Sequence, residues 1–328
     1  MNNQVPNSQF PILNSHLFMN NSSTLAVTIA GGTGLVGSHL ANLLASKGYD
    51  VTILSRKQRS PAGKLNYASW DVEKGVVDDD AIRYADVIIH LAGENVGKGR
   101  WTAKRKKQIL ESRTRTSKVL IDAMKKFPRQ RTFLSASAIG WYGPDPKIPN
   151  PQPFTEDMPS APGFLGETCA AWEASVQPAT ATGARVVILR TGIVLSRDGG
   201  AYPEYLKPIK LGVATIFGSG NQVVSWIHID DLSRLYLYAL ENASMDGVYN
   251  AVAPNPVDNR TLMLTIAQQV RKSFFIPVYV PEFALKIALG EMSIEVLKSA
   301  TVSSRRIHDA GFSFIYPSIT SAIPALHR

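Results

Sequence analysis

The sequence predicts a doubly wound parallel α/β sheet followed by a smaller C-terminal α/β lobe, and three observations carry that reading. Short apolar runs alternate with helical patterns from residue 25 to about residue 190, the order that builds a parallel sheet with helices on both faces. The run Gly31-Gly32-Thr33-Gly34-Leu35-Val36-Gly37 lies between the first strand and the first helix, where glycines let a backbone approach a bound anion. Beyond Gly192 the alternation loosens into shorter segments, which suits a second unit closing over the carboxyl ends of the strands.

Strand one is Leu25–Ala30, and the helix Leu35–Lys47 stops at Gly48, a residue suited to a left-handed C-cap. Strand two is Asp50–Ser55, strand three is Tyr67–Asp71, and a short helix over Asp79–Tyr84 leads to strand four, the apolar run Val87–Ala92. A long helix from Thr102 to Phe127 stops at Pro128, because proline cannot continue it. Strand five is Arg131–Ser135. A proline-rich loop from Pro144 to Pro162 precedes a helix from Phe164 to Thr182 and strand six, Arg185–Arg190. Tyr202–Leu211 reads as helix, Val223–Ile229 as strand, Asp230–Glu241 as helix, Val248–Val252 as strand and Thr261–Val270 as helix, with short helices and turns from Pro277. This divides the chain into a tail, 1–24, a nucleotide-binding domain, 25–192 with 230–256 packing back onto it, and a small substrate lobe, 193–229 and 257–328.

With 328 residues, 45% hydrophobic and 19% charged, the chain can bury a sizeable core. No apolar stretch approaches the ~20 residues of a transmembrane helix, so no membrane partner is expected. The tail is rich in Asn and Ser and lacks the order of a signal peptide, which predicts disorder. The single cysteine, Cys169, excludes an intrachain disulfide and points to a reducing compartment, the cytoplasm. The net charge of +9 is local: thirteen basic residues stand against Glu111 and Asp122 between Lys98 and Arg131. With few aromatics interleaved beyond Trp101, that block reads as a solvated helix face and not as a nucleic-acid surface. An anionic cofactor or substrate accounts for part of it. No metal site is expected, and the chain is a monomer or a homodimer.

The glycines at 31, 34 and 37 permit a tight turn, close approach to a pyrophosphate, and close packing of helix on strand. An NAD-binding strand two usually ends in a carboxylate about 20 residues past the glycines. Here the position holds Ser55-Arg56-Lys57, and a guanidinium suits the 2′-phosphate of NADP. Asp71 either meets the adenine or closes a turn. Leu91-Ala92-Gly93 ends strand four with small residues that admit a ligand. Arg113 shares the apolar stripe of Ile109, Thr116 and Leu120. An inward charge needs a partner, either cofactor phosphate or ribose or a carboxylate such as Glu94.

Those segments, with Arg100-Trp101-Thr102, Ser137-Ala138-Ile139-Gly140-Trp141-Tyr142-Gly143, Trp172-Glu173, Leu189–Leu195 and Trp226-Ile227-His228-Ile229-Asp230-Asp231-Leu232, resemble epimerase family proteins of the SDR39U1 type. These are atypical members of the extended short-chain dehydrogenase/reductase superfamily, and the resemblance runs from about residue 25 to the C-terminus. It implies a Rossmann fold, NADP(H), and oxidoreductase or epimerase chemistry on an unassigned small molecule. It also implies Ser55 and Arg56 at the 2′-phosphate end, Leu91 and Ala92 along the middle of the cofactor, Gln108 and Arg113 on the facing helix wall, and Val194 at the nicotinamide end.

One departure is large. Such reductases use a Tyr four residues before a Lys, expected near residue 164, as acid and pKa modulator. This chain has Phe164-Leu165-Gly166-Glu167-Thr168-Cys169 there, with no Tyr between Tyr142 and Tyr202 and no Lys between Lys147 and Lys207. Ser137 and Tyr142 are left as catalytic candidates, with Glu94, Glu167 and His228 nearby in the pattern. His228 reads equally as a structural residue, and Cys169 as a small core residue. The rival function is a catalytically silent NADP(H)-binding sensor.

Overall fold

The computed structural model describes residues 24–57, 59–61, 63–272 and 274–327, so the tail expected over 1–24 lies, but for Thr24, outside the described residues. Strand β1 (Ala26–Ala30) is buried after its first residue, as a strand covered on both faces must be. Helix α1 (Leu35–Ser46) follows the glycine turn and ends before Gly48, which takes φ 92°. Strands β2 (Asp50–Ser55), β3 (Leu65–Asp71) and β4 (Val76–Val77) lead to α2 (Asp79–Arg83), capped by the Asp78 carboxylate. Strand β5 (Val87–His90) precedes α3 (Ala103–Lys126), whose start is capped by Thr102. Strand β6 (Arg131–Ala138), helix α4 (Phe164–Val176) and strand β7 (Ala184–Thr191) complete this half. The helix expected to reach Thr182 leaves α geometry at Val176 and continues as a 3-10 stretch, because Pro178 has no N–H to donate.

The second half contains β8 (Ile193–Ser196), β9 (Gly199–Gly200), α5 (Tyr202–Lys210), β10 (Val213–Phe217), β11 (Val223–Val224), β12 (Trp226–His228), α6 (Ile229–Glu241) and β13 (Gly247–Ala251). It ends with β14 (Val257–Asp258), α7 (Asn259–Arg271), β15 (Ile276–Val280), α8 (Glu282–Leu289), α9 (Ser293–Leu297), α10 (Arg305–Asp309) and α11 (Ile319–Ala325). The strand expected over Val223–Ile229 is divided at Ser225, whose hydroxyl donates to the Ala300 carbonyl and accepts from Val302 N–H. The segment expected to turn from Pro277 is instead β15, parallel to β10.

Eight strands form the main sheet in the order β13-β7-β6-β5-β1-β2-β3-β4, parallel except for the β3–β4 pair. Strand β1 lies between β2 and β5, with Val27 in register with Val51 and Val87. The direction of winding reverses there, so the crevice at the carboxyl ends of β1 and β5 is where such a sheet takes a ligand. Leu40 and Leu44 of α1 and Leu235 and Tyr236 of α6 bury one face, against Ile29 and Ile53. Leu120 and Met124 of α3 and Trp172 of α4 bury the other, against Ile88 and Phe133. A separate cluster is built on Tyr202, Ile216, Trp226, Leu262 and Ile323.

The basic block lies along α3. Arg115 pairs with Glu111 and Glu73, and Lys126 pairs with Asp79. Exposed pairs of this kind contribute at most ~1 kcal/mol each. No helix among the described residues is long and apolar enough to cross a membrane.

Candidate cofactor and substrate site

Gly31 takes φ 86°, and a Cβ there would lie 2.6 Å from the Leu91 carbonyl carbon. A Cβ on Gly37 would run into the Gly31 carbonyl oxygen, so both glycines are required for α1 to dock on the turn. Gly34 donates to the Gly31 carbonyl at 3.0 Å and then serves as the N-cap of α1 with no side-chain hydrogen bond. No acidic residue stands in the first turn of this 12-residue helix. Its first N–H groups therefore lack a side-chain acceptor beside exposed Thr33 and Gly34. That cradle fits a diphosphate.

At the end of β2, Ser55 Oγ donates to the Lys57 carbonyl at 2.8 Å and accepts from Lys57 N–H at 3.2 Å. This small turn leaves Arg56 and Lys57 exposed. Asp71, at the end of β3, closes a turn by accepting from Lys74 N–H at 3.1 Å. Leu91 N–H donates to the Ala30 carbonyl at 2.8 Å, which fixes the Leu91-Ala92-Gly93 segment beside the glycine turn. Val194 on β8 pairs in register with Ile227. The β8–β9 hairpin brings it toward α1, since a Cβ on Gly199 would lie 3.4 Å from Leu35 Cδ1.

Arg113 is turned inward, and the Glu94 carboxylate is not its partner. Its guanidinium donates to the Ile109 carbonyl at 2.8 Å and the Glu94 carbonyl at 3.2 Å, and lies 4.8 Å from the Trp172 ring centre. Burial brings its pKa down to about 10. The Glu94 carboxylate pairs with Arg105 at 3.0 Å instead. Gly93 leaves room for this arrangement, because a Cβ there would come within 3.2 Å of the Arg113 guanidinium carbon. Gln108 is exposed, with its carbonyl 3.5 Å from Arg105 Nη1.

Ser137 sits near the end of β6, buried, and donates to Glu173 Oε1 at 2.6 Å. Glu173 binds Arg190 through both oxygens, at 2.8 and 3.0 Å. Arg190 donates to the Tyr142 hydroxyl at 3.0 Å, and that hydroxyl donates to Asn250 Oδ1 at 2.7 Å. Burial pushes the Tyr142 pKa up to about 12, overcoming the lowering effect of Arg190. Tyr142, expected as a proton-moving group, lies in this buried chain with its hydroxyl directed at Asn250 Oδ1.

The other proton-moving candidates hold structural posts. His228 Nδ1 accepts from Asp230 N–H at 3.1 Å at the start of α6, and its ring lies 4.1 Å from that of Tyr316. Glu167 accepts from Gly163 N–H at 3.2 Å. Cys169 rests against the Ala138 carbonyl, with burial raising its pKa to about 11. Lys298 was not marked by any local pattern. It follows α9, donates to the Tyr142 carbonyl at 3.2 Å and pairs with Glu295 at 2.6 Å.

The model of the NAD dependent epimerase/dehydratase family matches residues 27–251, two thirds of the chain and the whole of the crevice just described. The chain belongs to that family. A domain of unknown function, DUF1731, matches residues 280–326 of this epimerase-family protein. The epimerase family protein YfhF of Bacillus subtilis is 37% identical over 92% of this chain and 97% of its own length. An epimerase family protein of Mycobacterium leprae is 31% identical over 92% and 95% respectively. The crystal structure of human epimerase family protein SDR39U1 with NADPH superimposes with a TM-score of 0.79 at 29% identity, covering 92% of this chain and 99% of that one. The UDP-N-acetylglucosamine 4-epimerase of Bacillus cereus, 17% identical with a TM-score of 0.72, shares the fold.

Proposed function

We propose that this chain binds NADP(H) in the crevice between β1 and β5 and exchanges hydride with a small polar substrate, as an oxidoreductase or epimerase. The observation that carries this reading is the pairing of an open α1 N-terminus with exposed Arg56 and Lys57 where an NAD-binding fold places a carboxylate. The NADPH held by the human relative supports it. Gly31, Thr33, Gly34, Leu35, Val36 and Gly37 would hold the pyrophosphate, and Ser55 and Arg56 the 2′-phosphate. Asp71, Leu91, Ala92 and Gly93 would line the adenosine half, Gln108 and Arg113 the facing wall, and Val194 the nicotinamide end. When bound, the cofactor supplies hydride chemistry at the nicotinamide ring.

Ser137 would face the substrate with lone pairs only, because its O–H is directed at the Glu173 carboxylate. It accepts from a substrate hydroxyl or amide and does not stabilise an alkoxide. With Tyr142 also committed, proton transfer falls to water or to the substrate itself. The same two commitments favour a second reading, a catalytically silent NADP(H) sensor. The lone, buried cysteine supports a reducing compartment, the cytoplasm.

A panel of carbonyl and sugar-nucleotide substrates, followed at the NADPH absorbance with calorimetry of cofactor binding, tests both readings. Turnover that falls in the Ser137→Ala variant supports the enzyme. Firm NADPH binding with no turnover supports the sensor, and absence of NADPH binding overturns both.

A further inference from the structure

The basic residues at the start of α3 do more than face solvent. Arg100 donates to the Ile287 carbonyl at 2.5 Å and to the Ala288 carbonyl at 3.5 Å, at the end of α8, where open carbonyls and the helix dipole favour a cation. Lys106 pairs with Glu291 just beyond that end and lies 5.4 Å from the Phe164 ring centre. Farther along the same segment, Lys298 donates to the Tyr142 carbonyl. Arg100 and Lys106 follow β5, and Tyr142 follows β6. Residues 282–298 therefore cross the carboxyl edge of both strands, the edge at which a sheet of this winding takes its ligand. With the 2′-phosphate assigned to the end of β2, the nicotinamide half falls toward β5 and β6.

The crossing segment is held differently from its two ends. Before it, β15 pairs along its length with β10. After it, Asp145 accepts from Ser299 Oγ at 2.7 Å, Thr301 N–H at 2.9 Å and Thr301 Oγ1 at 2.8 Å, and Ser225 bonds to Ala300 and Val302. Between these anchors only Leu285 and Ser293 are buried, and no residue of 282–298 joins the hydrophobic clusters of the core. Lys106 and Glu291 are 30% and 40% exposed, so salt screens their attraction. A segment with firm ends, little apolar burial and exposed polar fastenings opens before the rest of a fold. We propose that residues 282–298 form a strap that opens and closes over the nicotinamide end of the crevice, latched by Arg100 and by the Lys106–Glu291 pair. Closure over a ligand rests on the cofactor site proposed above, and the strap gives that site a path by which ligand enters and leaves.

Hydrogen exchange read by mass spectrometry on the full chain without ligand, and stopped-flow release of NADPH, test the strap. Lys106→Ala and Glu291→Ala break the same latch but change the net charge in opposite directions. Exchange over residues 282–298 should rise about fivefold or more in both, with residues 276–280 and 299–302 unchanged. NADPH should leave both variants about threefold faster or more, and ~0.5 M sodium chloride should bring the native chain toward them. Exchange over 282–298 that is no faster in either variant overturns the strap, even where NADPH binds firmly. Release that speeds in one variant and slows in the other also overturns it, because the field on an anionic ligand, and not the latch, would then set the rate. Exchange that responds while calorimetry finds no NADPH bound overturns the cofactor site and closure over it together, which separates the two failures.

Discussion

Ser137 donates its hydroxyl proton to the carboxylate of Glu173 at 2.6 Å, and the same carboxylate grips Arg190 at 2.8 and 3.0 Å. A buried ion pair survives only when its remaining hydrogen-bonding capacity is filled. Ser137 fills one lone pair of Glu173, while Tyr142 and the Glu156 carbonyl take donors of Arg190. The serine of the expected catalytic segment is therefore part of the frame that ties β6, α4 and β7 together.

Replacing Glu173 by Ala strands the Arg190 charge in the interior, and the expected loss is about 3–5 kcal/mol. Ser137→Ala removes one hydrogen bond to a charged group and should cost about 1.5–3 kcal/mol. Urea unfolding of the two variants measures both. Equal, small losses would show that the network contributes little to stability.

NADPH should bind at least about tenfold more tightly than NADH, since charge-assisted contacts to the 2′-phosphate are worth roughly 1.5–3 kcal/mol. Arg56→Glu should abolish the preference. Titration calorimetry decides it, and a variant that still prefers the phosphorylated cofactor would remove Arg56 from the site.

Arg113→Ala should weaken NADPH binding, because it empties the wall between Trp172 and Gly93 and frees the Glu94 carbonyl. The control is Lys118→Ala, a residue paired with Asp122 on the solvent face of α3, which should leave the dissociation constant unchanged. If both variants bind as the native chain does, the inward turn of Arg113 serves packing alone.

His90 is fully buried between Ser135 and Thr116, and burial lowers its pKa from 6.5 to about 3, with the Arg113 charge adding to the effect. The unfolded chain takes up this proton below about pH 6.5 and the folded chain does not. Stability from this group is thus complete above that pH. It should fall by up to about 1.4 kcal/mol per pH unit as pH drops toward 3. Denaturant midpoints measured from pH 7 to 4 in the native chain and in His90→Asn test this, and the variant should show a shallower decline.

Much of the fold was legible because its signals are local. Apolar strands of five to eight residues, the glycine run before α1, Gly48 after it and Pro128 after α3 each act on their neighbours through backbone geometry. The absence of a carboxylate after β2 and of a Tyr–Lys pair in α4 is likewise written in the order of residues. The two-residue strands β4, β9 and β14 were not legible, since two residues carry no period and exist only through their partners.

The fate of the site's side chains was decided by contacts between distant parts of the chain. Tyr142 and Asn250 are 108 residues apart, and Lys298 reaches the Tyr142 carbonyl across 156. The helical phase of Arg113 placed it inward. Only the packed structure supplied the Trp172 ring and two carbonyls in place of a carboxylate. A buried polar group must bond to whatever the fold brings within reach, and which group arrives depends on how sheet, helices and second unit pack, which no local pattern records.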